Sequence, residues 1–277
     1  TGYVGGAGIG AQHMAAAGAA VTLTTLLGED QAARRVRTTL RAAGVRVQTV
    51  AREPTPTKER FTTDTGTLLQ VETWDATALT SGAADRLTNL VAHTPADVFV
   101  ASDFRLGIFT KATIPGLLAA IPAGCLRAGD SQLSSRWPLL LDFPGFDLLT
   151  PNEREARFAL GDQDTPVGRL APALYAQAQC RYLILTRGAS GALALMPSAV
   201  VPSAPWMIDV PAYATHVVDP VGAGDALLAY AALALRVSGD LRVAALLGSL
   251  AAAVACEQAG NVPITPEAVA KKIEALG

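Results

Sequence analysis

The sequence predicts an α/β protein in which a mainly parallel sheet is covered by helices on both faces. From Ser81 onward, short β-rich runs alternate with longer helical runs, an order typical of parallel sheets. Half of the 277 residues are hydrophobic, which suits one large domain. Polar side chains follow the ends of several strands, where ligands gather in such sheets: Ser102-Asp103, Asp130, Thr150 to Asn152, Thr186 to Gly188, and Asp219.

The elements are predicted in order from hydrophobic period and turn residues. Apolar and β-branched runs predict strands at 21–27, 45–50, 60–63, 67–73, 97–101, 125–128, 146–150, 182–186 and 192–196. Helical runs are predicted at 31–43, 81–93, 111–120, 152–160, 169–179, 223–237, 241–257 and 266–275. The two runs that flank Asp64-Thr65-Gly66 predict a β-hairpin, which we interpret as a small lid at about residues 55–75.

Composition excludes several classes of protein. The net charge of −2 offers no basic surface for nucleic acid. The longest apolar stretch, 241–256, is short for a membrane span and is interrupted by glycine and serine, so we interpret it as a buried helix. The three cysteines and three histidines are scattered, which indicates no metal motif and favours a reducing, cytoplasmic location.

The chain begins with Thr1 and runs almost directly into glycines, without a signal-peptide pattern. We therefore expect that an N-terminal segment is absent from this sequence. The remainder is expected to be one domain over residues 1–277, in which Pro54-Thr55-Pro56-Thr57 is a stiff loop rather than a linker.

The most informative segment is Val217 to Ala226, which reads as a strand, a glycine turn and the start of a long alanine-rich helix. Free backbone N–H groups and the helix dipole make such a turn a site for anions, and Gly222 and Gly224 leave room for a phosphate. An acid there would repel phosphate. Asp225 makes sense as a base that takes a proton from a hydroxyl group as that hydroxyl attacks phosphorus. The alternative is an ordinary loop in which Asp225 caps the helix.

Two further strand ends have both a local and a functional interpretation. Asn152 and Glu155 lie one helical turn apart, which predicts a capping box; they would also suit a phosphate and the water shell of Mg²⁺. The turn Thr186-Arg187-Gly188 predicts a hairpin to the next strand. In a nucleotide site, Thr186 and Arg187 would donate to ATP phosphates.

The order LLTPNEREA, LILTRGASG, VVDPVGAGDALLA and CEQAGNVPIT resembles the ribokinase-like (PfkB) carbohydrate kinase family over essentially the whole chain. Gly5-Gly6-Ala7-Gly8 resembles its N-terminal glycine motif. The segments at Ser102-Asp103-Phe104 and Asp130-Ser131-Gln132 are most similar to the heptose-phosphate kinase branch. The resemblance implies a ribokinase-like three-layer α/β/α fold with a mainly parallel sheet and a small β lid.

It also implies an ATP-dependent phosphotransferase that acts on a hydroxyl group of a sugar or sugar phosphate, with Mg²⁺ as cofactor. Asp225 would be the catalytic base, and Gly222, Ala223 and Gly224 the anion hole. On the nucleotide side, the resemblance implies roles for Asn152, Glu155 (through Mg²⁺), Thr186, Arg187, Gly188 and Asn261. On the sugar side it implies Gly5, Gly6, Lys58 and Asp103. Asp219 matches the place of a monovalent cation such as K⁺, and the lid is typical of homodimers.

Three departures lie on the sugar side. Ile9 stands where the family has asparagine, Gln70 stands where a basic residue is usual, and the family's first strand is missing. A sensor that binds sugar or nucleotide without turnover is therefore an alternative. A second alternative is a dinucleotide-binding enzyme, because 6–11 fits G-x-G-x-x-A with Glu29 and Asp30 about 20 residues on.

Overall fold

The computed structural model describes residues 2–63, 66–134, 136–200 and 205–276. Its strands are β1 (Thr22–Leu27), β2 (Arg46–Ala51), β3 (Thr57–Thr63), β4 (Gly66–Thr73), β5 (Val98–Asp103), β6 (Leu126–Ser131), β7 (Leu148–Leu149), β8 (Tyr182–Thr186), β9 (Ala192–Met196) and β10 (Trp206–Val210). Its α-helices are α1 (Ala7–Ala16), α2 (Gln31–Ala42), α3 (Ser81–Ala92), α4 (Ile114–Ala119), α5 (Glu153–Leu160), α6 (Val167–Ala178), α7 (Ala223–Ser238), α8 (Leu241–Cys256) and α9 (Pro266–Glu274). The predicted elements are present except the strand expected at Val217-Val218 before the glycine turn, where the chain is an irregular loop held by hydrogen bonds to Cys256 C=O. Helix α1 and strand β10 are additional.

A six-stranded sheet in the order β10-β9-β8-β7-β6-β5 forms the centre of the protein. Strands β5 to β8 are parallel to one another, whereas β9 pairs antiparallel with both β8 and β10. Strands β1 and β2 form a separate parallel pair, and α1 packs against both β1 and β5. The prediction of a mainly parallel sheet is confirmed.

The sheet is covered on both faces, which gives three layers. Successive residues of a strand point to opposite faces, so Leu183 and Leu185 pack against α3 to α6, while Ile184 packs against α7 and α8. All three side chains are fully buried. Burial on both faces explains why these strands are continuous apolar runs.

The predicted hairpin is formed by β3 and β4, which pair antiparallel. Its turn residues Asp64 and Thr65 lie outside the described residues. Across the pair, Phe61 lies opposite Leu69, and both residues are more than half exposed. One face of the hairpin is therefore apolar.

The front glycine segment forms a loop that leads into the first helix. Residues 2–5 form no strand, and the chain enters α1 directly at Gly6, whose φ of 59° suits glycine. Asp30 caps α2 by accepting from Ala33 N–H at 2.8 Å and also accepts from Thr55 N–H at 2.8 Å. Both carboxylate oxygens of Asp30 are thus used to hold the chain. Among the described residues, every helix is too short or too polar to cross a membrane.

Candidate active site

The carboxyl ends of the parallel strands meet at one edge of the sheet, and buried polar atoms collect there. Several of these atoms have no hydrogen-bond partner among the described residues. Such atoms are costly in a protein interior and point to a site that binds something. They belong to Ser102, Asp130, Thr150, Asp225 and Asn261.

The amino end of α7 forms the predicted glycine turn. Gly222 is the N-cap in a left-handed conformation, with φ of 89°, which favours glycine. Ala223 and Gly224 follow as the first two helical residues, so their N–H groups have no partner within the helix, although Ala223 N–H donates to Pro220 C=O at a long 3.3 Å. A Cβ atom on Gly224 would have no heavy atom within 4 Å, so open space lies beside this turn. The turn is a ready-made anion site.

Asp225 is the third residue of α7 and does not cap the helix. The alternative of a capped helix is therefore wrong. Its side chain is 9% exposed, and Oδ1 lacks a partner among the described residues. Burial, and then the charge of Glu155, raise the pKa of Asp225 to about 7. A carboxyl with that pKa can both take and release a proton near neutral pH.

Glu155 and Asn152 form the predicted capping box. Glu155 N–H donates to Asn152 Oδ1 at 2.9 Å, and Asn152 N–H donates to Glu155 Oε2 at 2.8 Å. Burial raises the pKa of Glu155 to about 7, although the N–H groups of Asn152 and Leu133 oppose that rise. The local interpretation is confirmed, and the charge of Glu155 also raises the pKa of Asp225.

Asp130, at the end of β6, was predicted as a polar strand end and as part of a segment that resembles the family, without a role of its own, and the structure joins it to this group. It is 7% exposed, and Oδ1 has no partner among the described residues. Burial raises the pKa of Asp130 well above its usual range, and the charges of Asp225 and Glu155 add to this. The sequence placed Asp130 in a family-like segment, but only the fold shows that it is buried beside the other two carboxyls.

The three carboxyls Asp130, Glu155 and Asp225 fit a hydrated divalent cation. Burial and neighbouring carboxylates, rather than basic side chains, dominate the pKa values of Asp130 and Asp225. Within the described ranges, no three His, Cys, Asp or Glu side chains lie close enough to hold a metal directly. The arrangement therefore suits Mg²⁺, which commonly keeps several waters and borrows few carboxylates.

These carboxyls make the stability of the free protein depend on pH. Because the pKa values of Asp225 and Glu155 rise to about 7 on folding, the folded protein binds more protons than the unfolded chain between about pH 4 and pH 7. We expect the free energy of unfolding to fall as pH rises through this window. Urea denaturation at pH 5.5 and at pH 8, without Mg²⁺, measures the change, and the Asp225→Asn variant should show a smaller fall. A free energy that rises with pH would contradict these pKa values.

The second strand-end turn lies beside the capping box. Thr186 and Asn152 form an isolated parallel β-bridge, and Thr186 N–H donates to Pro151 C=O at 2.9 Å. As predicted, a tight turn with Gly188 at φ of 57° joins β8 to β9. Arg187 forms an ion pair with Asp209 on β10, and its Nε is buried without a partner among the described residues. Part of its guanidinium is thus already engaged.

On the opposite side of the site, Gly5, Gly6 and Asn261 come together with the glycine turn. A Cβ on Gly5 would lie 3.6 Å from Asn261 Nδ2, and one on Gly222 would lie 2.8 Å from Asn261 Oδ1. The ring of Phe104 packs on Gly6. Asn261 therefore lies between the front glycines and the anion turn.

Asp103, which was predicted to meet the sugar, is buried and hydrogen-bonded at the end of β5. It is 2% exposed, and its carboxylate accepts from Arg105 Nη1 at 2.9 Å, Arg105 N–H at 2.8 Å and Ser131 Oγ at 2.7 Å. Arg105 adopts φ of 60°, which is unusual for a residue other than glycine. Asp103 therefore holds the loop after β5, and its role toward the sugar stays a prediction.

The remaining sugar-side positions lie apart from this cluster. Lys58 pairs with Glu72 across the lid at 2.8 Å, and Gln70 accepts from Arg60 at 3.0 Å on the same hairpin. Ile9 is 1% exposed inside α1. Of the two residues that depart from the family, Ile9 is thus a buried core residue, and Gln70 is hydrogen-bonded to Arg60 and Glu72 on the lid.

Asp219 begins the loop that leads into the turn. Its Oδ1 accepts from Val221 N–H at 3.0 Å, while the N–H groups of Val218 and Asp219 donate to Cys256 C=O. These bonds fix the chain just before Gly222.

Comparisons with known proteins show the family of this chain. A family model described as pfkB family carbohydrate kinase matches residues 1–268. The bifunctional protein HldE of Nitrobacter winogradskyi is 31% identical over 275 residues, covering 95% of this chain and 54% of that protein. The HldE protein of Methylococcus capsulatus is 32% identical over 276 residues, covering 96% and 55%. The chain thus spans about half the length of these curated relatives.

Solved structures show the fold. Phosphofructokinase-2 from Escherichia coli matches with a TM-score of 0.80 at 19% identity, over 98% of this chain and 87% of that chain. Ribokinase from Thermotoga maritima matches with a TM-score of 0.77 at 18% identity, over 96% and 86%. The predicted ribokinase-like three-layer α/β/α fold is confirmed.

Proposed function

We propose that this chain, which belongs to the pfkB family of carbohydrate kinases, transfers the γ-phosphate of ATP to a hydroxyl group of a sugar or sugar phosphate. Members of this family are phosphotransferases with an alcohol group as acceptor, the enzyme class that the sequence predicted. The family also implies ATP and Mg²⁺. We further propose that residues 1–277 form a single kinase domain.

The observation that carries this proposal is the free, buried oxygen of Asp225 beside the open glycine turn. In the proposed reaction, Asp225 takes the proton of the acceptor hydroxyl as its oxygen forms a bond to the γ-phosphorus. The bond from that phosphorus to the β-phosphate oxygen breaks, and ADP leaves. The N–H groups of Gly222, Ala223 and Gly224 would stabilise charge on the transferring group.

Around this centre, Asn152 is proposed to meet a phosphate and Glu155 to hold the water shell of Mg²⁺, with Asp130 as an added carboxyl. Mg²⁺, when bound, neutralises charge on the phosphates. Thr186, Arg187 and Gly188 are proposed to lie along the nucleotide, and their place beside Asn152 supports this.

Gly5, Gly6 and Lys58 are proposed to serve the sugar, under a lid formed by β3 and β4. The segments at Ser102 and Asp130, together with the HldE relatives, favour a heptose phosphate. A coupled assay of ADP release over heptose, hexose and ribose sugars and their phosphates tests the proposal. Release stimulated by no sugar would refute it.

Two finer proposals concern a cation and a partner. We propose a monovalent cation such as K⁺ at Asp219 and the carbonyl groups around Val221, since a structure of phosphofructokinase-2 is in complex with potassium. We also propose a homodimer through the lid, because its apolar face, with Phe61 and Leu69, suits a second copy of the hairpin.

Replacement of Gly224 by valine tests the anion hole. The Cβ atom of valine would have no heavy atom from other elements within 4 Å, so the fold should survive. It would crowd a phosphate at the turn, so we expect turnover to fall by about 10²-fold or more. Steady-state kinetics and thermal melting provide the measurements.

The matched control is Gly82→Val, because Gly82 is also the second residue of a helix with open space at its Cβ position. It should keep wild-type turnover. Equal turnover in the two variants would remove the anion-hole role of Gly224.

The sensor alternative remains a second candidate because Ile9 and Gln70 depart from the family on the sugar side. It predicts that ATP binds while no sugar stimulates ADP release. The substrate screen separates the two functions when it is paired with calorimetric titration of ATP.

A further inference from the structure

The loop between α8 and α9, residues 257–265, is anchored at both ends, and we call it the Asn261 loop. At its start, Glu257 Oε1 accepts from Lys272 Nζ at 2.6 Å and from Thr215 N–H at 2.7 Å. Lys272 is 8% exposed. This buried ion pair ties the loop both to α9 and to the segment that leads into the glycine turn.

At the other end, the backbone of Ile264 is bonded on both sides. Its N–H donates to His13 Nδ1 at 3.0 Å, and its C=O accepts from Tyr230 Oη at 2.8 Å. His13 lies on α1 and Tyr230 on α7. Ile264 and His13 are each 1% exposed, so both bonds are shielded from water.

His13 acts here as a neutral acceptor. Because Nδ1 accepts from Ile264, the ring proton lies on Nε2, which has no partner among the described residues. Burial lowers the pKa of His13 to about 4, so the ring carries no charge at neutral pH. None of the proposed catalytic steps uses this histidine.

The Asn261 loop reaches the phosphate side of the site. Asn261 Oδ1 lies over Gly222, and its Nδ2 lies toward Gly5. A shift of the loop would therefore change the space at the glycine turn and beside the front glycines. Displacement of about 1 Å at such a distance can cost about 10²-fold in rate.

We propose that His13 and Tyr230 are positioning residues that hold the Asn261 loop against the Gly222 turn. They touch neither nucleotide nor sugar and act through the backbone of Ile264. The effect on turnover rests on the proposed kinase function, whereas the effect on the loop does not.

The test compares His13→Leu and Tyr230→Phe with the wild-type protein. Hydrogen exchange measured by mass spectrometry follows peptides that cover 257–265, and calorimetry measures the affinity for the nonhydrolysable analogue AMP-PNP with Mg²⁺. We expect faster exchange confined to the Asn261 loop and its neighbours, and nucleotide affinity lowered by roughly 3- to 30-fold. With the sugar found in the screen, KM for ATP should rise more than KM for the sugar, because Asn261 Oδ1 lies over the anion turn and only its Nδ2 lies toward Gly5.

Two further variants sharpen the comparison. His13→Gln keeps an acceptor and should recover part of the loss. Tyr175→Phe is the control, because Tyr175 on α6 makes the same kind of bond: its Oη donates to Arg181 C=O at 2.9 Å. This variant should leave the exchange of the Asn261 loop and the nucleotide affinity unchanged.

Normal loop exchange and normal nucleotide affinity in a folded Tyr230→Phe protein would overturn the proposal, whether or not His13→Leu folds. Faster exchange over the whole protein, with equal losses for sugar and nucleotide, would assign both residues to folding only and overturn it as well. If the wild-type protein phosphorylates no sugar, the kinase proposal fails. Loop exchange and AMP-PNP affinity still decide whether His13 and Tyr230 position the Asn261 loop.

Discussion

Replacement of Asp225 by asparagine is expected to lower the rate of phosphoryl transfer by about 10²- to 10⁴-fold, because asparagine cannot take the proton of the acceptor hydroxyl. ATP affinity should change by only a few-fold, since the anion turn is made by backbone N–H groups. Rates from coupled ADP release and affinities from calorimetry measure the two effects.

The same variant should be at least as stable as the wild-type protein at pH 8. Burial raises the pKa of Asp225 to about 7, so ionisation of the native carboxyl at pH 8 destabilises the fold. Asparagine removes that charge in nearly the same volume. Thermal melting at pH 8 distinguishes loss of catalysis from loss of structure.

Asp97→Asn is the control for the change of carboxylate to amide. Asp97 precedes β5 at the opposite edge of the sheet, its side chain is 86% exposed, and its contact with Arg236 is long, at 3.4 Å. It should leave turnover unchanged. Turnover near the wild-type rate in Asp225→Asn would refute the assignment of the base.

Replacement of Glu155 by glutamine distinguishes its role in the capping box from its proposed role in holding the water shell of Mg²⁺. Glutamine can still accept from Asn152 N–H, so the capping box and α5 should persist. It removes the charge that would hold the water shell of Mg²⁺. We expect the Mg²⁺ concentration for half-maximal turnover to rise by about 10- to 100-fold.

Binding of Mn²⁺ measured by electron paramagnetic resonance, without sugar, gives a readout independent of activity. The control is Glu153→Gln in the same first turn, where Glu153 pairs with Arg157 rather than with the carboxyl cluster. Glu153→Gln should bind Mn²⁺ as the wild type does. If Glu155→Gln also does so, Glu155 serves only as a helix cap.

The sequence predicted most elements because their signals are local. Asn152 and Glu155 predicted a capping box at the start of α5, and both of its hydrogen bonds are present. The long apolar run from Ala223 predicted α7, which ends one residue beyond the predicted boundary. Residues 182–186 predicted β8 without error.

Two elements, α1 and β10, were not predicted from the sequence. Helix α1 is rich in glycine and alanine, so it has no clear hydrophobic period, and its helical form depends on packing between β1, β5 and α7. Strand β10 is a short edge strand whose form depends on pairing with β9. In both cases distant residues decide the local structure.

The candidate site divides in the same way. The glycine turn and Asp225 could be read from a ten-residue segment, because an anion site at a helix start is made by consecutive residues. Asp130 could not, because its significance depends on burial beside Asp225 and Glu155. The ion pair between Asp103 and Arg105 could not be predicted either, because it depends on the unusual backbone turn at Arg105, while the predicted contact of Asp103 with the sugar stays a prediction.

The sequence by itself determined the fold class, the family and the turn that carries Asp225, since these depend on hydrophobic period and on motifs of adjacent residues. Only the tertiary structure decided which carboxyls share one buried environment, that Asp225 is free rather than a cap, and that His13 reaches Ile264 across 251 positions. The physical reason is that burial and unpaired hydrogen bonds are properties of packing, and packing joins residues that are far apart in the chain.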